Sequence, residues 1–157
     1  GQLSVLKTAT SELIANDALK LSMLIIENKT NDSVNIAMQA YAKADLFLFQ
    51  NKPKEALQLI DSLCTLNPAH PLQDDFQFLK ASVLQSINDF DGAILALEKI
   101  KKEYANDVLA DDALNELATI YVFLKKDATA KVCYEELIEK YPGSTFVNNA
   151  RLFLNKK

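Results

Sequence analysis

Apolar residues recur along this chain with the spacing of helix faces rather than of strands. Leu114, Leu117, Ala118 and Tyr121 lie at i, i+3, i+4 and i+7, one stripe of an amphipathic helix. After a polar break at Lys125-Lys126-Asp127 a second stripe follows, Ala130, Tyr134, Leu137 and Ile138, and it stops at Tyr141-Pro142-Gly143. Pro cannot continue a helix, and Gly143 is expected to take the left-handed cap. The same two-helix unit reads from about Val34 to Gln50, through a turn at Asn51-Lys52-Pro53, and on to Asn67-Pro68. It reads again from about Pro71 to Ile87, through Asn88-Asp89, and from Asp91 to Tyr104. Pro53 suits the first turn of its helix, where a missing N–H costs nothing.

These units are copies. Ala44, Ala81 and Ala118 recur every 37 residues, as do Ala56, Ala93 and Ala130. Phe47, Leu84 and Tyr121 keep the same step, and so do Leu63, Ile100 and Leu137. Asp74-Asp75 returns as Asp111-Asp112 and then as Asn148-Asn149. The alanines carry a packing rule: two helices joined by a tight turn lie antiparallel and close, and a larger side chain at the contact forces the axes apart. The predicted fold is therefore all-α, one α-α superhelical solenoid over residues 1–157 with about three full repeats. Repeat 1 takes residues 33–69, repeat 2 takes 70–106 and repeat 3 takes 107–143, with a partial unit near 1–30 and a capping helix over 144–157. In the partial unit, Ala18, Leu21, Leu24, Ile25 and Ile26 are spaced as in a second helix.

The third repeat resembles the tetratricopeptide signature W-x2-L-G-x2-Y, A-x3-F, P: Leu114-x2-Leu117-Ala118-x2-Tyr121, then Ala130-x3-Tyr134, then Pro142. Repeat 1 keeps Ala44, Phe47, Ala56, Ile60 and Pro68 of that pattern; repeat 2 keeps Ala81, Leu84, Ala93 and Leu97, with Ala105 in the place of Pro. Lys43 and Lys80 replace the usual Leu, and their stems can cover apolar surface while the ammonium reaches water. The period exceeds the usual tetratricopeptide length, with the excess in the linker after the proline. That linker, Tyr141-Pro142-Gly143-Ser144 through Ala150 in its best copy, is similar to those of bacterial envelope tetratricopeptide proteins. Among them are the lipoprotein subunit of the outer-membrane protein assembly machine and the periplasmic cell-division coordinator. The chain most resembles the C-terminal part of Bacteroidetes envelope tetratricopeptide proteins. The resemblance implies a protein-binding scaffold in the periplasm or cell envelope, with the first helices lining a concave groove.

Composition fits this picture. Of 157 residues, 49% are hydrophobic and 24% charged, with only three Gly and four Pro to interrupt helices. Formal charge is -4, and no Lys/Arg stripe that would neutralise phosphates is visible, so nucleic acid is not an expected partner. The most apolar run, Leu21 to Ile26, is too short to cross a bilayer, and no direct membrane insertion is expected. Gly1 in the place of Met is expected to be a cloning remnant, and the chain a piece of a longer solenoid. Cys64 and Cys133 fall in different, non-adjacent repeats, which disfavours a disulfide; both read as small buried side chains.

Candidate chemistry is sparse. The Asp74-Asp75 and Asp111-Asp112 pairs fall in first turns of helices, where carboxylates cap N–H groups and complement the dipole, so they read as structural rather than as metal ligands. His70 stands alone before a helix, without further ligands for a metal site. No Ser-His-Asp order, nucleophile elbow, phosphate loop or zinc spacing occurs, so neither an enzyme nor a cofactor or metal is expected. By helical phase the groove side bears Met38, Tyr41, Asp45 and Leu48, then Asp75, Phe78, Ser82 and Gln85, then Asp112, Asn115, Thr119 and Val122. Tyr41 and Phe78 fit equally well as packing between adjacent first helices. None of these residues is basic, so the expected partner is a basic or neutral peptide or protein rather than an acidic tail. The alternative is a structural assembly module that self-associates through open solenoid ends.

Overall fold

The computed structural model describes residues 32–66 and 69–155. Among them lie seven helices and no strand: α1 (Asp32–Phe49), α2 (Pro53–Leu66), α3 (Gln73–Ser86), α4 (Phe90–Glu103), α5 (Ala110–Phe123), α6 (Asp127–Lys140) and α7 (Val147–Leu154). The partial unit expected near 1–30, the Asn67-Pro68 stop and the terminal lysines lie outside the described residues. The chain divides into two compact units, Gly1–Gln39 and Ala40–Lys157, and the described part of the first is the start of α1.

In the second unit each helix from α2 onward packs on its successor. The repeated alanines sit at closed contacts: Ala44, Ala56, Ala93, Ala118 and Ala130 are wholly buried, and Ala81 nearly so. Around them Leu97, Ile100, Leu114, Leu117 and Leu137 are also wholly buried. Each such side chain is worth roughly 1.5–3 kcal/mol relative to exposure. The apolar stripes read from the sequence are thus the faces that meet.

The turns inside the repeats have one geometry. Asn51, Asn88 and Lys125, spaced by the repeat, hold φ of 57°, 62° and 57°. Each donates its N–H three residues back, to Leu48, Gln85 and Val122, and the next residue donates to Phe47, Leu84 and Tyr121. This is the Schellman arrangement, which closes the orphan carbonyls of the first helix. Gly143, expected to be left-handed, has no positive φ. Instead α6 ends at Tyr141, with φ -126° and ψ 60°. Pro142 forces its predecessor out of the α region, so no glycine cap is needed there. At the start of α4, Asp89 accepts from the Gly92 N–H at 3.0 Å. A Cβ on Gly92 would sit 2.7 Å from the Asp89 carboxylate, so glycine permits that close cap.

Candidate protein-binding face

The first helices α1, α3 and α5 carry the residues expected to line a groove. Asp45 and Thr119 are exposed, and Leu48, Asp75, Ser82, Gln85, Asp112 and Asn115 are half-buried. Met38, in the first compact unit, is half-buried as well. Phe78 and Val122 are half-buried and pack against the hydrophobic core, so part of each serves the fold. Tyr41 likewise packs inward, its ring centroid 6.4 Å from that of Phe76 on α3. For Tyr41 and Phe78 the packing role is real, and only their remaining surface can meet a partner.

Three polar contacts organise this face. Gln85 Nε2 donates to Glu116 Oε1 at 3.1 Å, joining α3 to α5. Ser82 and Thr119 turn their hydroxyls back to the Phe78 and Asn115 carbonyls at 3.2 and 2.9 Å. Burial, followed by the charges of Asp75, Asp45 and Asp74, pushes the Tyr41 phenol well above its ordinary range. Three carboxylates thus add to burial in acting on this phenol. Glu116 was not among the expected residues, although it follows Asn115 directly; its place at the edge of the helical phase hid it.

The opposite, second-helix side is mixed in charge. Glu136 on α6 is bound by Lys101 of α4 at 2.8 Å and by Lys140 at 2.7 Å. An open groove of about 730 Å³ lies there, with Leu95, Lys99, Lys102 and Glu103 in its lining.

Asp74-Asp75 and Asp111-Asp112 do occupy the first turns of α3 and α5. The cap residues themselves, Leu72 and Leu109, are apolar and make no side-chain cap bond. His70 is buried at 7% exposure, stacked 5.9 Å from Phe76, and its Nδ1 accepts from the Leu72 N–H at 3.1 Å. Both cysteines are free thiols. Cys133 is buried, and burial pushes its thiol up to about 11. Cys64 is only half-buried, which departs from the expected core thiol, and its Sγ accepts from Gln77 Nε2 at 3.2 Å. Among the described residues no cluster of three or more His, Cys, Asp or Glu could hold a metal ion. No described helix is long and apolar enough to cross a membrane.

Comparison with known proteins agrees with this architecture. No curated protein matches the chain significantly. Among solved structures, the crystal structure of MamA superposes with a TM-score of 0.54 at 17% identity, over 78% of this chain and 66% of that one. The chain thus spans just under two thirds of the protein it superposes on, and the likeness is one of fold. The tetratricopeptide repeat family profile matches residues 112–144. Those residues run from the first turn of α5 to just beyond α6, so it is the third helix pair that carries a recognisable tetratricopeptide repeat, within an all-α helical-repeat fold.

Proposed function

We propose that this protein is a non-enzymatic interaction scaffold that binds a peptide or partner protein along the first-helix face. The observation that carries this reading is the face itself. Repeated helix pairs hold Asp45, Asp75, Asp112, Asn115 and Thr119 at least partly accessible on successive first helices, with no lysine or arginine among the groove positions. Such an array is a rigid, periodic set of side chains, which suits recognition of an extended segment or a helix. A basic or neutral partner fits it better than an acidic one. The linker resemblance supports a bacterial envelope or periplasmic setting.

The test is capture from lysate of the source cells by wild type and by Asp45→Lys/Thr119→Lys. Both positions are exposed, so circular dichroism should be unchanged. The reading expects specific partners to be lost from the double variant. An identical set of captured proteins, at equal yield, would refute it. A second reading, self-assembly, is favoured by apolar side chains left open on α1 and α7, Phe49 at 86% and Leu152 at 66% exposure. Light scattering across concentration separates the two readings, because a strictly monomeric chain argues against assembly.

A further inference from the structure

The contacts between successive repeats are not alike. Where α5 meets α4, the repeat positions hold Ala110, Leu114 and Leu117, all wholly buried. The same positions on α3, facing α2, hold Gln73, Gln77 and Lys80. Gln73 and Gln77 are almost wholly buried, yet they spend their amides on Cys64, its carbonyl at 3.4 Å and its Sγ at 3.2 Å. Lys80 reaches Asp61 on α2 at 2.6 Å. Beside them lies His70 Nε2, buried and without a hydrogen-bond partner among the described residues.

These groups differ from leucines in what opening does to them. Amide and ammonium hydrogen bonds are exchanged for bonds to water at little net cost, whereas exposed leucine surface gains no substitute. A buried nitrogen with no partner is better off hydrated. We propose that the α2–α3 junction is a polar seam, at which α2 opens from α3 while α3 to α7 stay packed. The Tyr41–Phe76 contact between α1 and α3 crosses the same junction, so opening parts the first-helix face beside Asp75. That consequence for binding rests on the function proposed above; the opening itself does not.

Hydrogen exchange of the full chain under native conditions tests the seam without any partner. Amides of α2 should be at least about tenfold less protected than those of α4 and α6. Fraying from the chain end would give the same gradient, so the decisive measurement is a variant. Gln77→Leu, which installs the residue of the third repeat, should raise protection in α2 about tenfold and leave α5 and α6 unchanged. Gln77→Met serves the same purpose should leucine disturb the fold. In the opposite sense, Leu114→Gln should lower protection in α4 and the helices before it. Equal protection in α2 and α4, or α2 protection unmoved by both Gln77 variants, would overturn the seam.

Discussion

Tyr141 donates its phenol proton to the carbonyl of Ala105 at 2.7 Å, across 36 residues of sequence. One residue thus closes α6 ahead of Pro142 and ties that end to the linker before α5. The phenol is a dependable donor, since burial raises it above its ordinary range. Tyr141→Phe keeps the ring and deletes the bond. It should cost about 1 kcal/mol, or roughly 2–4 °C in Tm for a domain of this size, read by thermal unfolding.

The left-handed turns set the second expectation. Lys125 bears a Cβ where φ is 57°, an arrangement that costs a non-glycine residue about 1–2 kcal/mol. Lys125→Gly should therefore stabilise the protein by about 0.5–1 kcal/mol after the added freedom of the unfolded chain is subtracted. Asn88→Gly should give less, because asparagine tolerates this region better. Urea midpoints at constant m-value check both.

Acid sensitivity follows from Glu136. Burial favours its neutral form, but hydrogen bonds from Lys101 and Lys140 outweigh burial and hold its carboxyl below the usual glutamate range. A depressed carboxylate stabilises the fold fully above the unfolded-state value, and that contribution is lost as pH falls through the lower, folded-state value. The advantage of wild type over Glu136→Gln should be constant from neutral pH to about 5, then shrink below about 4.3. With Lys140 half-exposed, the plateau should be below about 1 kcal/mol. Urea denaturation from pH 3 to 7 measures it.

The alanine contacts predict a penalty for size. Ala118→Leu adds bulk where no exposed surface remains, and should destabilise by about 1–3 kcal/mol. Leu117→Ala, one residue away, should cost about 2–5 kcal/mol by leaving a cavity. Chemical denaturation of both variants tests whether the spacing of the helix pair is set from both sides.

The helix pairs and their alanine contacts were legible because apolar periodicity and repeated small residues follow directly from the burial that α3 to α7 require. The positions of the turns were legible too, but their left-handed conformation was not. Asn51, Asn88 and Lys125 lack the glycine signal, and the glycine that is present, Gly143, follows a proline that already ends its helix. Gln73, Gln77 and His70 were hidden for another reason: polar side chains near a helix start read as exposed, and only the packing of α2 on α3 reveals their burial. On the first helices, helical phase put Asp45 and Thr119 on an exposed side. It could not separate Phe78 and Val122 from the core, since a side chain at the rim of a helix contact both packs and faces outward.

Site-specific photocrosslinking distinguishes the faces in one experiment. A benzophenone side chain placed at Asp45, Asn115 or Thr119 on the first helices should yield adducts with a partner in lysate. The same group at Leu95 or Val132, exposed on second helices, should yield none. Adducts from Leu95 or Val132 alone, with the first-helix positions silent, would contradict binding along the first-helix face.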